Sequence, residues 1–275
     1  MTDPFGARLT RALDERGSLC VGIDPHPGLL DAWNLSRDAD GVGRFADICV
    51  RAFAGHTAVV KPQSAFFERF GSAGIAALER TVAACRSAGA LVLLDVKRGD
   101  IGTTMAAYAE AYLDPAAPLA VDAITVSPYL GVGSLQPVFD SCAEHGTGAF
   151  VLALTSNPEG PQVQHARVSD GRTVAQVVLD EVAERNTSGR GSFGVVVGAT
   201  VGEVDVDIQN FNGPFLVPGI GAQGGTADDV QRVFGDGARS VLPSLSREIL
   251  RHGPDVAALR SAVERAVAEF AFLRG

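Results

Sequence analysis

Short apolar segments rich in β-branched residues alternate along the chain with segments whose apolar residues recur every three or four positions. Several of the short segments are nearly continuous runs of Val, Leu and Ile, as expected of parallel strands that are covered on both faces. This pattern predicts eight strands separated by helices. The predicted strands cover residues 18–24, 58–63, 91–97, 123–128, 149–156, 194–200, 214–220 and 239–245.

Two segments show the helical periodicity most clearly. In residues 71–89 the apolar side chains fall three or four positions apart, and Gly89 is a suitable C-terminal cap. Residues 254–273 repeat this spacing, with Asp255 as a suitable N-cap. Both segments predict amphipathic helices that pack one face against the sheet.

The order of these elements predicts the fold. Eight β–α units follow one another without a linker or a low-complexity segment. We therefore expect an α/β protein in which residues 1–275 form a single (β/α)8 TIM barrel domain. A doubly wound open sheet is the main alternative, because it also alternates strands with helices.

Composition and charge narrow the choice of ligand. The chain has 275 residues, of which 46% are hydrophobic, and its formal net charge is −9. A chain this acidic is not expected to bind nucleic acid, which requires a basic surface. An anionic ligand would need a local binding site that overcomes the negative electrostatic field of the whole chain.

The cysteines and the apolar runs predict the compartment. The four cysteines are widely separated and form no C-x-x-C pair, so we expect reduced thiols and no metal site. No apolar run reaches the roughly 18 residues of a membrane span. Residues 1–13 lack the apolar core of a signal peptide. We therefore expect a cytoplasmic protein without membrane contacts.

One long connection follows the fifth predicted strand. Residues 157–172 have little apolar periodicity. A loop this long in a compact domain is often a lid or a binding segment, so we expect it to close over an active site. The alternative is that these residues form a long surface loop without a role in binding.

The third predicted strand ends in the charged motif LLDVKRGDIG, residues 93–102. Asp95 and Lys97 are two positions apart and should share one face of the strand, while Asp100 lies in the loop beyond. Lys61 ends the adjacent predicted strand. Together these residues would form an array of alternating charges at the carboxyl end of the barrel, where such enzymes place catalytic groups.

This array suggests a chemical role. Opposite charges nearby favour the charged form of a lysine, which suits Lys97 to deliver a proton to a carbanion. A salt bridge that only caps the strand is the usual explanation of an isolated Asp-x-Lys pair, but the second lysine at position 61 favours chemistry. Arg98 should point elsewhere, toward a salt bridge or a subunit contact.

A glycine-rich loop, VPGIGAQGG, occupies residues 217–225 in the seventh β–α unit. It does not open a βαβ fold, so a dinucleotide site is less well supported than a monophosphate site at a helix N-terminus. Arg247 follows the eighth predicted strand, and barrels commonly bind phosphate with the loops after strands seven and eight. An arginine there can bind phosphate with two hydrogen bonds.

The motif LLDVKRGDIGTT resembles the D-x-K-x-x-D-I signature of the orotidine 5′-phosphate decarboxylase family, in the subfamily with Lys-Arg in this motif. The resemblance extends over nearly the whole chain, through FGARLTRAL, CVGIDPHP, VPGIGAQGG and SLSREIL. It implies the conversion of orotidine 5′-monophosphate to uridine 5′-monophosphate without a metal or an organic cofactor. It also implies a homodimer whose active sites are shared across the interface.

The same resemblance implies individual roles. Lys97 matches the proton donor to C6 of the pyrimidine, and Asp95 matches the carboxylate beside the departing carboxyl group. Asp100 matches an aspartate that reaches into the site of the other subunit. The remaining matches are substrate ligands: Lys61 and Asp24 for the ribose hydroxyls, Thr104 for the ribose, Ser156 for the pyrimidine amide (with Thr155 and Asn157 as nearby alternatives), Pro218 near the base, and Gln223 and Arg247 for the phosphate.

Two other functions are compatible with a barrel that binds a phosphorylated ligand. A Mg²⁺-dependent sugar-phosphate decarboxylase or epimerase of the same barrel lineage would need a metal-binding carboxylate near Lys61. A non-catalytic barrel that senses pyrimidine nucleotides would not need an ammonium group held between carboxylates, so Asp95, Lys97 and Asp100 favour the enzyme.

Overall fold

The computed structural model describes residues 3–187, 191–200, 206–221, 224–235 and 241–274. Within them, eight parallel strands pair in chain order and the first also pairs with the last, which closes the sheet into a barrel. The predicted (β/α)8 fold is confirmed, and the open-sheet alternative is wrong. The strands are β1 Cys20–Ile23, β2 Val59–Pro62, β3 Leu91–Arg98, β4 Ala123–Val126, β5 Gly148–Leu154, β6 Phe193–Val197, β7 Phe215–Val217 and β8 Val241–Leu245.

Helices surround this barrel. The two helices predicted from periodicity are present as α5 (Gly71–Ser87) and α12 (Val256–Glu269), and the carboxylate of Asp255 accepts a hydrogen bond from the N–H of Ala258 as an N-cap. None of the described helices is long and apolar enough to cross a membrane. The helices are α1 Phe5–Arg16, α2 Pro27–Ala32, α3 Ala39–Phe53, α4 Ala65–Glu68, α5 Gly71–Ser87, α6 Gly102–Leu113, α7 Gln136–His145, α8 Pro161–Gln164, α9 Val174–Arg185, α10 Ala227–Phe234, α11 Arg247–Leu250 and α12 Val256–Glu269.

The core has two parts because successive side chains of a strand face opposite sides of the barrel wall. Leu93 packs inside the barrel, whereas Leu94 packs outward against the surrounding helices. Helix α1 contributes Phe5 to the interior part, where its ring meets that of Phe150 edge-on at 6.1 Å between centroids. Apolar packing therefore fills one end of the barrel, and the polar side chains gather at the carboxyl ends of the strands.

Candidate active site

A cavity of about 580 Å³ lies at the carboxyl ends of the strands. It brings together five of the residues singled out from the sequence, which are Lys61, Asp95, Lys97, Ser156 and Pro218. The other lining residues are Thr125, Leu152, Thr155, Asn157, Pro158, Val196, Thr200 and Leu216.

Asp95 lies between two lysines in this cavity. Its Oδ2 atom is 3.3 Å from the Nζ atom of Lys61, and its Oδ1 atom is 2.5 Å from the Nζ atom of Lys97. Asp95 and Lys61 are buried, whereas the side chain of Lys97 is 46% exposed and faces the cavity. A single carboxylate therefore orients two ammonium groups that both line the cavity, one of them buried and the other half-exposed.

The mutual attraction of these charges outweighs the effect of burial. Burial raises the pKa of Asp95, but the positive charges of Lys61 and Lys97 have the larger effect and lower this pKa to about 2. Burial lowers the pKa of Lys61, but the negative charges of Asp95 and Asp24 raise it above its ordinary value. Asp95 and Lys61 are therefore both ionised at neutral pH.

The backbone leaves regular strand geometry at Lys97. Its φ angle is 45°, and the pairing of β3 with β4 shifts register between Leu94 and Arg98. The predicted alternation of side chains therefore does not extend to this position, because an irregular strand end redirects the side chain. Lys97 nevertheless contacts Asp95, as the spacing suggested.

Thr125 of β4 supports this irregular strand end. The sequence patterns did not predict a role for this residue. Its Oγ1 atom accepts hydrogen bonds from the N–H groups of Val96 and Lys97, each at 3.0 Å, and donates one to Asp95 Oδ1 at 2.8 Å. Gln63, with its amide nitrogen directed at Asp95, donates to Oδ2 of that residue at 3.0 Å. A polar residue on the strand next to β3 is the signal that could have identified Thr125.

Arg98 points away from the cavity, as expected from its position beside Lys97. Its guanidinium forms an ion pair with Glu68 and donates to the hydroxyl of Tyr112 at 3.2 Å. It also lies over the ring of Tyr108, 5.6 Å from the centroid. These contacts attach the end of β3 to helices α4 and α6.

Asp24 follows β1, and its negative charge contributes to the raised pKa of Lys61. The hydroxyl of Ser246 donates to its Oδ2 atom, while its Oδ1 atom is buried and accepts no hydrogen bond from the described residues. Gly22 makes this approach possible, because a Cβ atom at position 22 would lie 1.8 Å from Ser246 Oγ. Asp24 thus retains an acceptor for a further polar group beside Lys61.

Ser156 and its neighbours lie at the end of β5. Thr155 donates to Asn157 through its hydroxyl at 2.7 Å, and it exchanges two hydrogen bonds with the amide of Gln164, at 2.9 and 2.7 Å. These contacts link Thr155 to Asn157 and to Gln164 of α8. Ser156 packs against Gly198, where a Cβ atom would lie 3.2 Å from the serine Cβ.

The segment 157–172 is more ordered than its sequence suggested. It contains helix α8, and Arg167 forms an antiparallel bridge with Thr173. Asn157 and Pro158, at the beginning of the segment, line the cavity.

The glycine loop, which the sequence predicts to bind an anion, forms hydrogen bonds within itself. Its N–H groups at Gly221, Gly224 and Gly225 donate to carbonyl groups of the same loop. The N-terminus of α10 is closed by a reciprocal capping box between Thr226 and Asp229. These hydrogen bonds engage three glycine N–H groups of the described part of the loop, and the monophosphate site expected here from the sequence stays a prediction.

The two side chains predicted to bind phosphate are those of Arg247 and Gln223. Arg247 begins α11, and its side chain is exposed. It lies near His26, whose pKa is lowered by burial and then by the charge of Arg247. Gln223 lies outside the described residues.

Asp100 and Thr104 lie outside this cavity. The carboxylate of Asp100 accepts a hydrogen bond from the N–H of Ile101 at 2.8 Å and forms no ion pair within the described part of the chain. Thr104 is exposed on the first turn of α6. The predicted array of four alternating charges is therefore reduced, within one chain, to Lys61, Asp95 and Lys97.

A closed (β/α)8 barrel with a buried aspartate between two lysines at the carboxyl ends of its strands defines an α/β-barrel enzyme suited to stabilising and protonating a carbanion. The chain belongs to the orotidine 5′-phosphate decarboxylase / HUMPS family, whose model matches residues 17–262. The resemblance inferred from the sequence motifs is thereby confirmed.

Individual relatives agree with this family. The chain is 62% identical to the orotidine 5′-phosphate decarboxylase of Salinispora arenicola and 59% identical to that of Streptomyces coelicolor, with 97% of each chain covered in both comparisons. A crystal structure of a provisionally named orotidine 5′-phosphate decarboxylase from Streptomyces avermitilis superposes with a TM-score of 0.96 at 58% identity, covering 99% of this chain and 96% of that one. The Leishmania donovani OMP decarboxylase superposes with a TM-score of 0.76 at 30% identity, covering 98% of both chains.

Proposed function

We propose that the protein converts orotidine 5′-monophosphate to uridine 5′-monophosphate and CO₂. The observation that carries this proposal is Asp95 held between Lys61 and Lys97 in the cavity of a chain that belongs to this family. The proposed chemistry needs a fixed positive charge beside a carbon that becomes negative, and Lys97 has the geometry to supply it.

The bond that breaks joins C6 of the pyrimidine to the carboxyl carbon. Its electron pair stays on C6 in the plane of the ring when CO₂ leaves. With the substrate bound and the proposed lid closed over it, the ammonium group of Lys97 would stabilise this charge more than water does. A proton then moves from Lys97 Nζ to C6, and the neutral amine regains a proton from solvent.

Asp95 has a preorganising role in this proposal. It holds Lys97 at 2.5 Å and Lys61 at 3.3 Å, so the positive charges are in position before the substrate binds. Asp95 would also face the carboxylate of the substrate, but repulsion of that kind is a weaker explanation than preorganisation.

The substrate ligands extend from this array. We assign the ribose hydroxyls to Lys61 and Asp24, whose buried Oδ1 atom supports a further hydrogen bond. Ser156 and Pro218, which line the cavity, are assigned to the base. The phosphate is assigned to Arg247, whose guanidinium can bind it with two hydrogen bonds, together with Gln223.

We also propose a homodimer in which Asp100 and Thr104 serve the site of the other subunit. Three large apolar side chains are exposed near these residues: Ile101 at 62%, Tyr129 at 79% and Leu130 at 52%. The loops that carry them are adjacent, since Ser127 N donates to the carbonyl of Arg98. An exposed apolar patch beside an active site is typical of a subunit interface.

Two further assignments complete the proposal. Residues 1–275 act as one barrel domain, and residues 157–172 act as a lid, which is supported by Asn157 and Pro158 at the cavity edge. Four buried free cysteines fit the reducing conditions of the cytoplasm.

The test is to add orotidine 5′-monophosphate to the purified protein and to follow both the fall in pyrimidine absorbance and the release of CO₂. We expect stoichiometric uridine 5′-monophosphate and CO₂, with the same rate in EDTA. Tight nucleotide binding without CO₂ release would instead support a sensor, and loss of activity in EDTA would support the Mg²⁺-dependent enzyme.

A further inference from the structure

The hydroxyl of Thr125 is bonded to both residues on which the proposed chemistry depends. Thr125 lies in the middle of β4 and is fully buried at the wall of the cavity. We propose that Thr125 is a positioning residue, which fixes the backbone of Lys97 and the carboxylate of Asp95 at the same time and so sets the direction of the Lys97 ammonium. This inference rests on the proposed roles of Lys97 and Asp95.

The backbone of β3 needs such support. Leu94 pairs with Ile124 and Arg98 with Val126, so four steps along β3 correspond to two steps along β4. The extra residues form a bulge, and bulged N–H groups lose their regular ladder partners. Thr125 Oγ1 accepts from both of these N–H groups, those of Val96 and Lys97, in place of a strand carbonyl.

The left-handed conformation of Lys97 also depends on this support. A φ of 45° is uncommon for a residue with a Cβ atom and persists only where the surroundings impose it. The hydrogen bond from Lys97 N to Thr125 is a direct restraint on that torsion. If this restraint were lost, Lys97 could relax toward a regular strand, which would turn its side chain away from the present direction.

The same hydroxyl orients the carboxylate. A threonine hydroxyl has two acceptor lone pairs and one hydrogen. Because two N–H groups occupy the lone pairs, the hydrogen is directed to Asp95 Oδ1, at 2.8 Å. That oxygen also accepts from Lys97 Nζ, at 2.5 Å. One side chain therefore links the main chain of Lys97 to the partner of its ammonium group.

The test compares Thr125→Val, which keeps the shape and removes the hydroxyl, with Thr125→Ser, which keeps the hydroxyl. We expect Thr125→Val to lower kcat by roughly 10- to 100-fold, as expected for lost hydrogen bonds to a charged group, with KM for orotidine 5′-monophosphate changed by less than about threefold. Thr125→Ser should recover most of kcat. A folded Thr125→Val protein with normal kcat would overturn the inference.

A matched control separates positioning from general destabilisation. Thr57→Val also removes a buried threonine hydroxyl, which donates to the carbonyls of Leu19 and Val59 at the opposite end of the barrel. We expect it to lower the melting temperature and to leave kcat unchanged. An equal loss of kcat in Thr57→Val and Thr125→Val would contradict the positioning role.

Two further variants complete the experiment. If Thr125→Val does not fold, Thr125→Cys replaces it, because a thiol is a weak hydrogen-bonding group; kcat equal to that of Thr125→Ser would then overturn the inference. Lys97→Ala distinguishes the two proposals. A parent protein that releases no CO₂ would disprove the proposed function itself, and an active Lys97→Ala protein would disprove the role of Lys97. An inactive Lys97→Ala protein beside a fully active Thr125→Val protein would disprove only the role of Thr125.

Discussion

At the scale of single residues, the site depends on one buried carboxylate. Asp95 has two oxygens, and each is bonded to a different lysine. Removing a charge from a buried ionic cluster is costly because the remaining charges lose their partner. The arrangement therefore ties the stability of the barrel wall to the geometry of the proposed proton donor.

This coupling has a pH dependence that can be measured. The pKa of Asp95 is about 2 in the folded chain, below its ordinary value of 3.8. A depressed carboxyl pKa stabilises the folded state above the unfolded pKa, and this stability is lost as the pH falls through the folded pKa. The contribution is about 2 kcal/mol.

We therefore predict how Asp95→Asn compares with the parent protein in urea unfolding. The difference in free energy of unfolding should be constant between pH 7 and pH 5 and should shrink as the pH is lowered below 3.8. The parent protein should also lose no activity through Asp95 between pH 7 and pH 5. A difference that already declines above pH 5 would contradict the assigned ionisation.

At the scale of elements, a side chain of the segment 157–172 attaches it to the end of β5. Gln164 in α8 exchanges two hydrogen bonds with Thr155, which precedes Ser156 at the end of β5. The proposed lid is thus anchored next to a proposed base ligand, so changes in its position can reach the bound substrate.

For Gln164→Ala we predict a rise in KM for orotidine 5′-monophosphate of about three- to tenfold, because the binding-competent position of the segment becomes less populated. Steady-state kinetics would check this. Gln162→Ala, in the same helix and exposed, is the matched control and should leave KM unchanged. Equal KM values for both variants would argue against the lid.

The elements were predictable from sequence to different degrees. Strands such as β3 and β5 follow from their apolar runs, and α12 follows from its periodicity and from Asp255. The conformation of Lys97 did not follow, because a bulge is set by the pairing of two strands and not by the pattern of one. Thr125 was missed for a related reason: in a strand a threonine looks like an ordinary β-branched residue until its neighbours are known.

Long-range contacts account for most of the remaining differences. Ser246 donates to Asp24 across 222 positions of the chain, and only closure of the barrel between β1 and β8 brings them together. Contacts inside the glycine loop were also beyond the motif. The N–H groups of Gly221 and Gly224 donate to carbonyl groups of the same loop, which a motif cannot reveal.

At the scale of the whole molecule, the cavity of one chain contains Lys97 but not Asp100. The proposed dimer would supply Asp100 from the other subunit. We predict that mixing Lys97→Ala with Asp100→Ala subunits restores about a quarter of the parent activity, because half of the dimers are hybrids with one intact site of two. Each variant alone should be nearly inactive.

This prediction needs a measure of subunit exchange. Affinity tags of two kinds, one on each variant, would allow the hybrid dimers to be isolated and assayed. The isolated hybrid dimers should have about half the activity of the parent dimer, because one of their two sites is intact. Hybrid dimers without activity would contradict the shared site.

The proposed role of Lys97 is tested most directly by CO₂ release from Lys97→Ala at saturating orotidine 5′-monophosphate, in a protein shown to be folded and to bind uridine 5′-monophosphate. We expect a loss of kcat of at least about a thousandfold, because both the stabilising charge and the proton donor are removed. A variant that binds the nucleotide and decarboxylates at a rate near that of the parent protein would contradict this role.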